Sequence, residues 1–441
     1  MRPQRPLAEH VELRRGITYK SALLGRPGPV LLGLASIARD GGFRDDSLRT
    51  YGGESPADLL LHPGDIYVSL KDVTQSGDLL GAVSRVPTYV GLGRLTQDTV
   101  KLILRPGAAP STFLYWVLRS PEYRRYCRAR AIGTTNLSLA REDFLAFSVP
   151  EPTNDQLALT ELLDIVEDKI ELNRRMNETL QAIAQTLFKS WFIDFDPVRA
   201  KRVGQAPGGL DSVTAALFPS RLVASPLGEM PVGWSTTTLA EVTSKIGSGA
   251  TPRGGDRAYI SQGTAFIRSQ NVYDSEFVWQ GLAFISDTDA EQLRGVTVQP
   301  DDVLLNITGA SILRTCVVEQ QVLPARVNQH VAIVRAKPTV PARYLHFHLL
   351  RAQTKAYLLG LDAGASRQAV TKAHIESVPI MLPTPALLQK FNETCAPMFS
   401  MMDNNRVQTR TLAILRDTLL SRLLSNELDP RSAKREVERV A

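Results

Sequence analysis

Residues 156–192 read QLALTELLDIVEDKIELNRRMNETLQAIAQTLFKSWF, and neither Pro nor Gly interrupts the chain between Pro152 and Trp191. Apolar residues return at alternating steps of four and three, at Leu159, Leu163, Val166 and Ile170, then at Leu180, Leu187 and Trp191. A stripe this narrow is the seam of a helix that pairs with another helix, not a membrane span. At about 1.5 Å per residue such a helix is roughly 55 to 60 Å long, which reads as a spacer.

A shift of 232 positions lays Leu159, Leu163, Val166, Ile170, Asn173, Asn177, Leu180, Ala184, Leu187 and Trp191 onto Phe391, Cys395, Met398, Met402, Asn405, Thr409, Leu412, Arg416, Leu419 and Leu423. The second long helix, from about Ala386 to Ser425, therefore matches the first in phase. Polar residues in mid-seam weaken a hydrophobic interface but set its register. In an antiparallel pairing with two-fold pseudosymmetry, Asn173 faces Thr409 and Asn177 faces Asn405. Pro397, inside the second helix, removes a backbone donor and predicts a kink or a delayed start, at a cost of about 3 kcal/mol.

What precedes each helix is also duplicated. LHPGDIYVSL (61–70) corresponds to VQPDDVLLNI (298–307), RLTQDTVKLILRP (94–106) to RVNQHVAIVRAKP (326–338), and Leu31–Ile37 to Phe266–Val272. The helical stretch Ser111–Ala131, tolerant of Pro121 or kinked by it, corresponds to ARYLHFHLLRAQTKAYLLG (342–360). The glycine turn Gly133–Asn136 is matched by Gly364–Arg367, and DFLAFSVPEP by HIESVPIMLPTP. The predicted strands GPVLLGLASI, DIYVSL, LLGAVSRV and TVKLILRP are separated by Gly, Pro and Asp turn signals, so the repeat unit is a mixed α/β domain plus a long helix. The boundaries follow: a first domain over 1–152, its helix over 153–196, a Pro/Gly-rich connector over 197–230 laid on the surface, a second domain over 231–384, its helix over 385–428, and a charged tail over 429–441.

A chain of 441 residues, 43% apolar, suits two or three globular domains. The net charge of +6, from 51 Lys and Arg against 45 Asp and Glu, is mildly basic and points only weakly to nucleic acid. Cys127, Cys316 and Cys395 form no metal-ligand spacing and fit a reducing cytosol. No apolar leader or long apolar run appears, so a cytoplasmic location is expected, with no membrane partner. Neither an Asn/Asp-Pro-Pro-aromatic loop nor a glycine-rich GK[ST] loop is present. His346 and His348 do not share a helix face, and Glu167-Asp168-Lys169, superficially the end of a nuclease motif, reads as a solvated helix face.

The run Trp191-Phe192-Ile193-Asp194-Phe195-Asp196-Pro197, followed by PLGEMPVGWSTTTLAEVTSKIGSGATP with Gly233, Trp234, Leu239, Gly247, Gly249 and Pro252, resembles the DNA-specificity (S) subunit of type I restriction-modification systems. The resemblance covers nearly the whole chain. It implies an α+β fold with two target-recognition domains, each reading half of a bipartite sequence in double-stranded DNA. It also implies an antiparallel coiled coil of the two long helices that separates the half-sites and docks two methyltransferase (M) subunits, with restriction (R) subunits joining later. The chain itself would be noncatalytic and hold no cofactor, while S-adenosylmethionine, ATP and Mg would serve the partner subunits. The rival readings are a methyltransferase or nuclease with an unrecognised site, and a coiled-coil scaffold that never meets DNA. One departure is that the first copy lacks a counterpart of Gly233-Trp234 before Leu13, so its N-terminal edge is expected to be closed from elsewhere, such as by the C-terminal tail.

Base readout needs amide, hydroxyl and cationic groups on loops that follow corresponding strands. These are Arg39, Arg44, Lys71, Asp72, Thr74 and Gln75 in the first copy, and Arg268, Ser269, Gln270, Asn271, Asn306, Thr308 and Arg314 in the second, with Arg367 in the glycine turn. Trp191, Phe192 and Phe195 form an aromatic group that either caps a domain core or anchors an M subunit.

Overall fold

The computed structural model describes residues 3–361, 369–424, 435 and 437–439. It divides into two compact units, residues 1–174 with 406–441, and residues 175–405. The fold is α+β, with two similar mixed domains and two long helices, Asn154–Phe192 and Pro385–Arg422.

The first unit is built on a four-stranded antiparallel sheet in the order Val11–Arg15, Thr99–Leu104, Ile66–Ser69, Val83–Arg85. The second unit repeats that order with Thr243–Ser248, Val331–Ala336, Val303–Asn306 and Thr315–Val317. Each unit adds a three-stranded sheet with one parallel pair, Val30–Leu32 on Gly93–Leu95 and Thr264–Ile267 on Ala325–Val327. Glycine is required where the chain leaves the first strand of each sheet. A Cβ on Gly16 would lie 2.1 Å from the Thr96 carbonyl oxygen, and one on Gly249 would lie 2.0 Å from that of Val327.

The N-terminal edge of the first unit corrects the expectation above. Gln4–Pro6 pairs with Ser148–Pro150, the one-turn helix Leu7–His10 follows, and the chain enters Val11–Arg15. The second unit does the same, with Ser235–Thr238 on Pro379–Leu382, then the helix Leu239–Val242. The chain thus closes this edge with its own first residues, and Leu7-Ala8-Glu9 answers Leu239-Ala240-Glu241 at the same offset of 232.

The expected single helix over 111–131 is two, Ser111–Val117 and Pro121–Ala129. Pro121 occupies the first turn of the second helix, where no donor is needed, and the Ser120 hydroxyl accepts from the Tyr123 amide at 3.3 Å. The other copy breaks at the extended Arg351, between Ala342–Leu350 and Ala352–Leu361, with no proline to force it. The first long helix starts on a reciprocal cap: the Gln156 amide donates to the Thr153 hydroxyl and the Thr153 amide to the Gln156 side chain. It stops at Phe195, whose left-handed backbone (φ 57°) precedes a short helix over Asp196–Arg202. The second long helix starts at Pro385 and continues through Pro397, so the predicted delay does not occur.

Residues 197–230 are not a surface loop. They form two short helices and a hairpin (Leu222–Ser225 with Gly228–Pro231), and Val198, Phe218 and Met230 enter the core of the second unit.

The long helices run antiparallel in both units. In the first, the Gln156 amide reaches the Leu423 carbonyl at 2.7 Å, Glu167 meets Arg416 at 3.0 Å, and the Asn173 amide donates to the Gln408 side chain at 2.8 Å. The hydrogen-bond partner of Asn173 is thus Gln408, one residue before the expected Thr409. In the second unit the Asn405 amide donates to the Asn177 oxygen at 2.9 Å, as expected, and the Asn177 amide donates to the Met402 carbonyl at 3.2 Å.

Candidate nucleic-acid interface

In the first unit two loops after matched strands are fastened together. The Asp40 amide donates to the Asp78 carbonyl at 2.9 Å, which ties the loop carrying Arg39 and Arg44 to the loop carrying Thr74 and Gln75. Arg124, buried in the helix Pro121–Ala129, donates to the carbonyls of Gly77, Asp78 and Leu80 and to Asp40, and Arg128 bridges Asp40 and Asp78. The strand Leu137–Ser138 pairs with Lys71–Asp72, so the turn Gly133–Asn136 lies beside the second loop.

Within this cluster the groups differ sharply. Arg39, Thr74 and Gln75 are exposed, and Arg39 is only 4.0 Å-paired with Asp78. Arg44 is exposed but forked onto Asp46 at 2.6 Å. Lys71 is half exposed, 3.5 Å from Asp98. Asp72 is 1% exposed, and its carboxylate accepts from the Thr74 amide and hydroxyl and the Leu79 amide. Asp72 therefore shapes the loop and offers nothing to a base.

The second unit fastens the equivalent loops with different chemistry. The Asn306 amide donates to the carbonyls of Ser269 and Val272 and to Ser311, while the Asp274 carboxylate accepts from the Thr315 amide and pairs with Lys355 at 2.7 Å. Asn271 accepts from the Arg268 amide and donates to the Val278 carbonyl. Asn271 and Asn306 are both 0% exposed, so these two predicted readers are also loop organisers. Gln270 is exposed, although its amide leans on the Gly281 carbonyl, as does the Arg268 guanidinium. Arg314 lies over the Tyr273 ring at 4.3 Å, and Thr308 is hydrogen-bonded to His330 at 2.7 Å. Arg367 lies outside the described residues.

Some nearby cations were not singled out from the sequence. Arg128 has already been placed. Arg253 and Arg257 are exposed on a glycine-rich segment whose Thr251 hydroxyl bonds Gln329, next to His330. Their signal was the run Thr251-Pro252-Arg253-Gly254-Gly255, which a purely strand-following search passes over.

Trp191, Phe192 and Phe195 are 2%, 3% and 5% exposed. Trp191 and Phe192 stack edge-on against Phe391, and Phe195 against Trp234, so these residues cap the second unit's core and present no face to a partner. Exposed apolar side chains occur instead on the long helices, at Ile165, Leu172, Val407 and Ile414 in the first unit and at Ile183 and Met401 in the second.

Glu167 is not a solvated charge. It is gripped by Arg119 and Arg416, both at 3.0 Å; burial alone would raise its carboxyl, but the two guanidiniums hold it below the usual carboxylate range. Asp164, one turn away, takes a forked pair of bonds from Arg85 and a third from the Trp116 indole at 2.7 Å. His346 and His348 are both buried in the second unit, and desolvation with nearby Arg351 pushes the His348 imidazole down to about 3. No cluster of three metal-binding side chains occurs, and no helix is long and apolar enough to cross a membrane, among the described residues.

Two copies of one domain thus each present amide, hydroxyl and guanidinium groups on loops pinned from below. Comparison with known proteins gives the chain a closer likeness. The chain is 25% identical to the HindI type I restriction enzyme specificity subunit of Haemophilus influenzae, over 76% of this chain and 82% of that protein. It is 23% identical to the MjaIX specificity subunit of Methanocaldococcus jannaschii, over 78% of this chain and 76% of that one. Its fold matches the type I restriction-modification S subunit of M. genitalium with a TM-score of 0.60 at 14% identity, over 97% and 96% of the two chains. No protein-family model matches the chain. The chain thus resembles type I specificity subunits in sequence and shares their fold.

Proposed function

We propose that this chain is the noncatalytic DNA-specificity subunit of a type I restriction-modification complex. Each unit reads one half of a bipartite duplex target, and M and R subunits act where the chain directs them. The observation that carries the reading is the duplicated pair of pinned loops at matched places in two domains of one topology, together with relatives that are specificity subunits over most of their length.

Among the predicted readers, Arg39, Thr74 and Gln75 in the first unit and Gln270 in the second are exposed, and Arg314, half-buried over Tyr273, completes the set that meets base edges. A glutamine suits adenine and an arginine suits guanine in the major groove. Asp72, Asn271 and Asn306 act one step back, by holding the loops in shape. Two M subunits dock on the long helices, where Ile165, Leu172, Val407 and Ile414 supply exposed apolar surface in place of the buried aromatic group. S-adenosylmethionine, ATP and Mg belong to the partners.

The test is methylation mapping of genomic DNA from cells expressing the chain with its neighbouring M subunit, compared with M alone. A split, gapped motif that depends on the chain is expected. Absence of any motif, with M still captured by the chain in a pull-down, would overturn sequence-specific recognition.

A further inference from the structure

The first unit contains a cleft of about 290 Å³ in which Lys71 is joined by two cations that the sequence did not single out, Arg15 and Arg141. Its floor is apolar, from Leu13, Val100 and Leu139, and its rim carries Arg15, Lys71 and Arg141 against a single carboxylate, Asp98. Arg15 donates through Nε to the Gln97 carbonyl at 3.2 Å, which steadies the guanidinium. Arg15 and Arg141 are exposed and make no ion pair among the described residues, and Lys71 is only loosely held by Asp98 at 3.5 Å. Three cations and one anion around a concave, partly apolar wall focus positive potential inward.

The position of the cleft gives it a meaning. Lys71 immediately precedes Asp72, whose carboxylate anchors the loop that carries Thr74 and Gln75. Ser138, on the strand paired with Lys71–Asp72, lines the same cleft. An anion seated here therefore sits at the foot of a base-reading loop. In the second unit the register counterparts of Arg15 and Lys71 are Ser248 and Thr308, and Thr308 is occupied by His330. The feature belongs to the first unit.

We propose that this cleft holds one sugar–phosphate unit of the DNA backbone, with Arg15, Lys71 and Arg141 around the phosphate and the apolar floor against the deoxyribose. The proposal rests on the DNA-recognition reading above. Backbone contacts fix register while base contacts specify, so the cleft sets where Thr74 and Gln75 fall along the first half-site.

The experiment uses the full chain with its M subunit and a duplex bearing the mapped motif. Losing one phosphate contact lowers the slope of log affinity against log salt by about 0.9. Between about 50 and 200 mM salt the wild type should therefore lose roughly 3.5-fold more affinity than Arg15→Ala/Arg141→Ala, with the motif unchanged. Arg15→Lys/Arg141→Lys should keep the wild-type slope, which a merely structural role would not predict. Single methylphosphonate replacements scanned through the first half-site should include one position that weakens the wild type but not the alanine variant. An unaltered slope in the alanine variant, or no such position, overturns the cleft while leaving the split motif and its reading intact. A free deoxynucleoside monophosphate that raises the melting temperature of the wild type but not of the variant, without any coupled backbone position, would overturn it in favour of a small-molecule site.

Discussion

Replacing Glu167 by alanine removes the carboxylate that bridges Arg119 and Arg416, and leaves two guanidiniums facing each other. Arg119 is 6% exposed, Glu167 24% and Arg416 20%. Breaking a buried pair on one side costs about 3 to 5 kcal/mol. Partial access of water to Glu167 and Arg416, and the separate bonds of Arg416 to Asp417 and of Arg119 to the Tyr115 hydroxyl, place the loss near about 3 kcal/mol. Hydrogen exchange read peptide by peptide is the assay. Amides over residues 154–172 and 406–422 should exchange about 100-fold faster if they open with the unit, since each 1.4 kcal/mol is a factor of ten. The register counterparts of Glu167 and Arg416 in the second unit are Phe399 and Ala184, an apolar solution to the same packing problem. Exchanging the whole charged set, with Glu167→Phe, Arg416→Ala and Arg119→Met, should therefore recover part of the loss, as buried ion pairs exchanged for well-packed apolar groups often do. The carboxyl's folded pKa lies below its unfolded value, so its contribution is present above about pH 4.5 and is lost as pH falls through the folded value. A cost under about 1 kcal/mol for Glu167→Ala, or equal acceleration across residues 175–405, would refute the reasoning.

Three further outcomes are expected. Asn177→Leu alone should cost about 1 kcal/mol by stranding the Asn405 amide, while Asn177→Leu/Asn405→Leu should restore stability but loosen register, seen as self-association in sedimentation; an unchanged, fully active double variant would count against the pairing. His348 has a folded pKa of about 3, below its unfolded value, so the unfolded chain binds the proton first and stability falls as pH drops from 7; the contribution at pH 5 is a loss of roughly 2 kcal/mol, which His348→Gln should remove from the pH profile of urea unfolding. Gln75→Ala should relax one position of the first half-site, at about 1 to 3 kcal/mol, and leave the second half-site and the gap unchanged in methylation maps.

Much of the architecture was legible because it is written as repetition along the chain. The seam of the long helices and the matched strands share nearly one offset, and the contact between Asn177 and Asn405 follows from that phase once the helices are paired antiparallel about a pseudo-two-fold axis. The N-terminal edge was equally available in Leu7-Ala8-Glu9 against Leu239-Ala240-Glu241, but three residues of common type stand out only after the two edges are superposed. The break at Arg351 had no sequence signal at all, since nothing in residues 342–361 forbids a continuous helix.

The candidate site divides on a different line. Residue type and position placed Asp72, Asn271, Asn306 and Gln75 in loops after matched strands, and all four are chemically able to meet a base. Whether a polar side chain is available or already engaged depends on backbone groups brought in from elsewhere, such as Ser269 beneath Asn306, 37 positions away. The same holds for Trp191, Phe192 and Phe195, whose neighbours Phe391 and Trp234 are distant in sequence. The sequence by itself therefore determined the duplicated domains and the paired helices, because periodicity and repetition are properties of one dimension. Only the tertiary structure decided which of the predicted side chains are exposed and which are engaged, because burial and hydrogen bonding are settled by partners far apart along the chain.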